Sequence, residues 1–282
     1  MIKIGILLII CLQAFVIQAQ NENPKQLLKE MLTAIENANT LKFRFVQKER
    51  VKSGWNNAIV DIKLQVNPQK IYIKCVDPNK GVELLWVEGK YNGYVYVNPN
   101  GFPYINLKLN QYGFILLGDE KHHPIDETGF GLFYRAIQSY FLDSSVDVND
   151  LVDCKGMVNF DNRSCYYLEL HDPNYRFTDY TVQGNENILD IAQRNNVADY
   201  IILEFNEDVD DYFDVEAGQI IKIPSAYAPK AILYLEASTF LPLLLEMHDD
   251  NGLYEHYEFL NLEVNSPFAK DEFSDDFVEY GF

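Results

Sequence analysis

The chain has 282 residues, 48% of them hydrophobic, which is enough for one large domain or two smaller ones with real cores. Its formal net charge is −19, and no basic cluster interrupts the acidity. That excludes a nucleic-acid footprint and any long-range attraction to anionic lipid headgroups.

Met1 and Lys3 make a short basic start, Ile4 to Ile17 is apolar apart from Gly5 and Gln13, and Ile17-Gln18-Ala19 fits an export cleavage site. The apolar run is too short for a membrane span and is followed by polar sequence, so residues 1–19 read as a removed signal peptide. Cys11 follows Ile9-Ile10, where lipid attachment needs small residues. Removing Lys3 takes the net charge from −19 to −20. The expected address is the periplasm or outer envelope, without a transmembrane segment. Three cysteines remain, Cys75, Cys154 and Cys165. Export permits disulfides, and Cys154 and Cys165 flank a turn at Asp161-Asn162, which makes them a candidate hairpin bridge. Their spacing carries no metal signature.

Asn23-Pro24 opens a helix with Leu27, Leu28, Met31, Leu32 and Ile35 on one face. Strand patterns follow at 41–51, with Phe43 and Phe45 on one side, and at 58–66, where Val60, Ile62, Leu64 and Val66 alternate with Asp61, Lys63 and Gln65. Further strands are expected at 70–76, 82–87 and 91–97, the last ending in the turn Asn98-Pro99-Asn100-Gly101. Over 126–141 the residues Phe130, Phe133, Tyr134, Ile137, Tyr140 and Phe141 recur at helical spacing. They predict an aromatic helix face that covers a sheet or closes an apolar cavity. Strands resume at 151–160, 164–170, 230–236, 241–248 and 253–264, with a tight turn at Asp250-Asn251-Gly252 whose Asn and Gly accept positive φ.

Catalytic signatures are missing: there is no Gly-x-Ser-x-Gly elbow, no His-Glu-x-x-His, no phosphate-binding glycine loop and no Cys-x-x-Cys. His122 and His123 lie near Asp126 and Glu127. These four are candidate metal ligands or acid–base groups of an enzyme acting on envelope polymers, but adjacent histidines usually point apart and acids at a helix start are favoured by its dipole, so the structural reading takes precedence. Asp208, Asp210 and Asp211 lack the glycine and distal glutamate of a calcium loop. The expectation is a non-enzymatic protein without cofactor or metal.

Tyr180-Thr181-Val182, Ile188, Ile191-Ala192, Ile202, Asn206, Gly218-Gln219 and Ile220-x-x-Ile223-Pro224 resemble the LysM domain in order and spacing. The resemblance implies a βααβ domain over 178–226 that binds peptidoglycan or another N-acetylglucosamine-containing glycan. It places the glycan between Gln183, Gly184, Asn185, Glu186 and Asn187 in one loop and Asn206, Glu207, Asp208 and Tyr212 in the other. The family's Gly-Asp-Thr is here Asn185-Glu186-Asn187. The 178–226 segment holds eleven acids against Arg194 and Lys222, a net of −9, so glycan binding rests on short-range contacts alone.

The flanking sequence, 20–177 plus 229–282, carries His123-Pro124-Ile125 with Gly129, Asn162-Arg163-x-Cys165-Tyr166, Thr239-x-Leu241-Pro242 and the Asp250-Asn251-Gly252…Tyr257 hairpin. These resemble an uncharacterised exported bacterial family and, through it, the LolA/LppX-like periplasmic carriers. The implied fold is α+β: a curved antiparallel sheet or incomplete barrel with covering helices, interrupted by the βααβ module in a hairpin loop. The implied partners are cell-wall glycan and an apolar ligand, a lipid or lipoprotein, in the host domain. The alternative is an envelope interaction protein without a ligand cavity, in which the module serves for docking. The sequence carries no signal for oligomeric state.

Overall fold

The computed structural model describes residues 23–118 and 121–282. The expected signal peptide and Cys11 lie outside the described residues. Helix α1 (Pro24–Glu36) starts where the Asn23 side chain accepts from Gln26 N, and Pro24 occupies a position whose N–H would have no helical partner anyway. It buries Leu27, Leu28 and Met31. Six strands follow: β1 (Thr40–Val51), β2 (Gly54–Gln65), β3 (Lys70–Asp77), β4 (Glu83–Val87), β5 (Tyr94–Asn98) and β6 (Leu107–Asn110). Helix α2 (Gly131–Leu142) buries Leu132, Phe133, Ala136 and Ile137. The hairpin β7 (Val152–Phe160) and β8 (Arg163–His171) comes next. The chain then leaves the sheet for a small unit of β9 (Phe177–Thr181), α3 (Ile188–Asn195), α4 (Asp199–Phe205) and β10 (Ile220–Pro224). It returns as β11 (Lys230–Glu236), β12 (Pro242–Asp249) and β13 (Gly252–Val264).

Eleven strands form one antiparallel sheet in the order β6-β5-β4-β3-β2-β1-β13-β12-β11-β8-β7. Among the described residues no ladder joins β6 to β7, so the sheet is open, not a closed barrel. Alternation decides which face is apolar. Val97, Leu84, Ile73, Ile62 and Phe43 stand in register across β5, β4, β3, β2 and β1. Phe43 and Phe45 continue the row through Phe259 and Tyr257 of β13, with ring centroids about 5 Å apart. Over β3, β4 and β5 the opposite face is covered by the C-terminal tail. Tyr280 stacks on Tyr72 at 3.7 Å, and Phe273 is buried with Leu85 and Val87.

Four local expectations are corrected. Tyr91 and Asn92 have φ of 52° and 55°, so the strand expected at 91 starts at Tyr94 instead. The helix expected from 126 begins at Gly131: Ile125–Glu127 is one 3₁₀ turn, and Gly129, with φ of 105°, breaks the path. At the 249–252 turn the positive φ falls on Gly252 and not on Asn251. Cys154 and Cys165 form no bridge. Strand register sets Cys154 opposite Leu168 and Cys165 opposite Val158, so the two thiols never face each other. The turn between them does have the expected chemistry: Asp161 and Asn162 both take positive φ, as a two-residue hairpin turn demands.

On β13, His256 lies 2.9 Å from Glu246 Oε1 and 3.0 Å from Glu258 Oε1. Both partners are acceptors, so the ring donates from both nitrogens and is held protonated. Hydrogen bonds to Glu246 and then Glu258 raise its pKa to about 9. A histidine raised in the folded state stabilises fully below its unfolded value of about 6.5. That contribution disappears as pH climbs through about 9. We therefore expect His256→Gln to cost on the order of 1 kcal/mol at pH 6.5, after allowance for solvent screening, and close to nothing at pH 10. Urea midpoints of the two proteins at both pH values measure it. A difference that grows with pH contradicts the assignment.

Candidate functional site

The apolar face of the sheet is not fully filled. A cavity of about 400 Å³ lies over it, walled by Phe43, Phe45, Val60, Ile62, Ile73, Leu84, Val97, Leu109, Tyr257 and Phe259 of the strands. Residues 121–133 close it from the other side through His123, Pro124, Ile125, Glu127, Thr128, Gly129, Leu132 and Phe133. Its volume falls within the range of about 300–1,000 Å³ usual for small-molecule sites. The lining is apolar over most of its length. One end is polar, with Gln47, Glu49, Asn56, Asn57 and Lys121. Lys121 donates from Nζ to Leu116 O at 2.7 Å, and burial pulls its pKa down. At the mouth, Ile115 both lines the cavity and is largely exposed, beside an exposed Phe114.

Beyond the polar end lies the densest electrostatic arrangement in the molecule. Glu49 and Glu255 face each other across β1 and β13, and both are essentially inaccessible to solvent. Like charges at directly opposed positions repel, and unpaired buried charge is costly, so each carboxylate needs donors. Glu49 accepts from Tyr257 Oη at 2.8 Å. Glu255 accepts from Tyr227 Oη at 2.9 Å and from His122 Nδ1 at 2.7 Å, with His123 Nε2 at 3.3 Å. The other nitrogen of His122 donates to Arg50 O at 2.8 Å. A carbonyl only accepts, so His122 donates at both nitrogens and is an imidazolium. Burial opposes that charge, but Glu49 and Glu255 outweigh it and raise the pKa. Burial would likewise raise Glu255; the hydrogen bonds from His122 and His123 bring it down to about 2.

The β9–α3–α4–β10 unit is locked onto this arrangement. Its Tyr200 ring stacks on His122 at 4.2 Å, with Tyr254 of β13 on the same imidazole at 4.6 Å. A protonated ring between two tyrosines gains cation–π attraction. Tyr200 Oη accepts from Lys52 N at 2.8 Å, and Tyr212 Oη donates to Lys121 O at 2.7 Å. Arg50 pairs with Asp249 of β12 and, at 3.4 Å, with Glu204 of α4. Asp199, at the first turn of α4, comes within 3.7 Å of His123 Nδ1. Burial pushes Asp199 up to about 7. Between this unit and the large sheet opens a second, polar cavity of about 570 Å³. His123, Asp126, Glu127 and Arg135 line it on one side, and Asn187, Asp190, Gln193, Asp199 and Phe213 on the other.

The structure sorts the residues to which sequence reasoning gives a glycan. Ile188 N bonds Tyr212 O at 2.9 Å, so the two loops are neighbours. Gln183, Gly184, Asn185, Glu207 and Asp208 are exposed. The others have internal duties. Tyr212 is buried at the seam. Asn206 clamps β10, donating to Lys222 O and accepting from Lys222 N. Glu186 accepts from Gln183 N, Tyr180 Oη and Arg194. Asn187 caps α3 in a reciprocal box with Asp190. The adjacent histidines do not act apart: their ring planes are 89° to one another, yet both reach Glu255. Sequence reasoning missed Glu49 and Glu255, although alternation puts Glu49 in phase with Phe43 and Phe45, and Glu255 in phase with Tyr257 and Phe259. Glu255→Ala leaves His122, His123 and Tyr227 facing a void and should cost about 3–5 kcal/mol in urea unfolding. Glu263→Ala on the exposed end of the same strand should stay within about 1 kcal/mol. Equal costs would show that the buried carboxylate holds nothing together.

Comparison with known proteins supplies a family. No curated protein matches the sequence. Among solved structures, the chain is similar to a DUF1329 family protein from Desulfovibrio piger at 9% identity and a TM-score of 0.34, covering 90% of this chain and 98% of that one. It is similar to the lipoprotein LppX of Mycobacterium tuberculosis at 12% identity and a TM-score of 0.40, covering 86% and 96%. LprF from Mycobacterium bovis matches at 10% identity and a TM-score of 0.41, over 87% and 94%. Among the described residues no helix is long and apolar enough to cross a membrane. The model of the DUF1571 family, proteins of unknown function, matches residues 38–282, seam and small unit included, and the chain belongs to that family.

Proposed function

We propose that this is a non-enzymatic protein of the bacterial envelope that holds the apolar part of a lipid-like ligand against its curved sheet. The observation that carries the reading is the 400 Å³ cavity. Seven strands and the 121–133 segment enclose it, aromatic and branched side chains line it, and it ends in Lys121, Glu49 and two asparagines. An acyl chain fits the apolar length, and a polar headgroup finds donors and acceptors at the far end. Leaving such a face unfilled costs packing energy that a bound chain would recover. The exposed Phe114 and Ile115 at the mouth supply an entry for an apolar ligand.

In the same reading the β9–α3–α4–β10 unit is a LysM-type module that keeps the protein at the cell wall. Its strand–helix–helix–strand order and its buried Val182, Ile188, Ile191, Ile202 and Ile223 support that assignment. The exposed Gln183, Gly184, Asn185, Glu207 and Asp208 are the residues left for glycan. Because Tyr200 and Tyr212 fasten the unit to the sheet, the tether and the carrier move as one piece.

Two experiments test the two halves. Organic extraction and mass spectrometry of the purified chain should yield lipid close to one equivalent, and Val60→Trp, which fills the cavity, should abolish it. A clean extract from the wild-type chain rules out carriage. The folded chain should also sediment with insoluble peptidoglycan, with retention lowered several-fold by Asn185→Ala combined with Asp208→Ala. Full solubility in the presence of peptidoglycan removes the tether.

A further inference from the structure

Three ligand-type atoms converge in the seam. His123 Nδ1 is buried and makes no hydrogen bond. It lies 3.3 Å from Glu127 Oε2 and 3.7 Å from Asp199 Oδ1. These are ion-pair distances without hydrogen-bond alignment, and the three atoms lie within 4.8 Å of one another. Zinc bonds of about 2.0–2.1 Å in a tetrahedron set neighbouring ligands about 3.4 Å apart, close to both measured edges.

The rest of the ring points the same way. His123 Nε2 is turned to Glu255 Oε1 at 3.3 Å and to Tyr227 Oη at 3.2 Å. An incoming ion displaces the Nδ1 proton, and with Nε2–H donated to a carboxylate the ring then presents its lone pair on Nδ1, which is how metal-bound histidines are oriented by a second carboxylate. Asp199 is 5% exposed, and Tyr200 N donates to its Oδ1, which fixes the carboxylate. Asp126 adds a further buried carboxylate oxygen without a partner in the adjoining wall. The nearby cations are Arg135, on Glu127, and His122, on Glu255.

We propose that His123 Nδ1, Glu127 and Asp199 form a divalent-metal site, zinc by its donors and spacing, that staples the small unit to the cavity wall. One imidazole with two carboxylates suits zinc, whereas calcium and magnesium take shells of oxygen. The fourth position faces the 570 Å³ polar cavity, where water or an oxygen donor completes the shell. Two ligands come from the 121–127 segment, which also lines the apolar cavity, and the third comes from α4. The ion therefore joins two parts of the chain that are far apart in sequence. The inference is independent of the carrier reading and holds with an empty apolar cavity.

The test uses the full folded chain, stripped with a chelator and titrated with Zn²⁺ by calorimetry in excess Mg²⁺. One equivalent at micromolar affinity or tighter is expected, with a rise in Tm. Asp199→Asn and His123→Gln should each weaken it by about 100-fold or more. Asp271→Asn on the exposed C-terminal tail should change nothing. Since His123 and Asp199 are buried, folding of the variants is checked by circular dichroism. A second readout needs no variant: Co²⁺ in the wild-type chain should give the intense visible bands of a four-coordinate ion. Absence of stoichiometric Zn²⁺ binding, the weak spectrum of a six-coordinate Co²⁺, or affinity undiminished in folded Asp199→Asn and His123→Gln overturns the site.

Discussion

Two glutamates buried opposite each other on adjacent strands, Glu49 and Glu255, set the constraint that much of the structure answers. A sheet interior does not tolerate two facing carboxylates unless donors converge on them. Those donors come from everywhere: Tyr257 from β13, Tyr227 from the return into β11, His122 and His123 from the 121–127 segment. Each donor is then held by its own partners, and through Tyr200, Tyr212 and Asp199 those partners include the small unit. Electrostatic demand at one point thus fixes the position of three separate pieces of chain.

The consequence is a shared wall. The 121–133 segment has the apolar cavity on one side and the polar cavity on the other. His123 and Glu127 belong to both. This geometry differs from that of a tethered bead: the small unit is a structural neighbour of the wall that closes the apolar cavity. Its loop residues Gln183, Gly184, Asn185, Glu207 and Asp208 are exposed, while Tyr200 and Tyr212 are buried against the sheet.

Much of the sheet is legible in the sequence because alternation is strict where one face is buried. Val60, Ile62 and Leu64 against Asp61, Lys63 and Gln65 define β2 without help, and the helical spacing of Leu27, Leu28 and Met31 defines α1. The strand–helix–helix–strand order between β8 and β11 is legible too, since the turn and apolar spacing of 180–224 mark each element. Other features are hidden for physical reasons. Strand β6 has four residues and too few alternations to stand out. The thiols of Cys154 and Cys165 miss each other because register depends on a bulge between Cys154 and Gly156. Asp199 reads as one of the eleven acids of 178–226, and only the tertiary fold carries it to His123. Tyr212 reads as a groove aromatic, whereas docking buries it.

The central claim is that the apolar face of the sheet receives a ligand. Methyl-labelled protein titrated with a long-chain fatty acid measures this directly by heteronuclear NMR. The account predicts saturable, one-to-one perturbation of Val60, Ile62, Ile73, Leu84 and Leu109, with Leu203 and Val209 in the small unit unaffected. Absence of saturable shifts, or shifts confined to the exposed Val278 and Ile220, would contradict it.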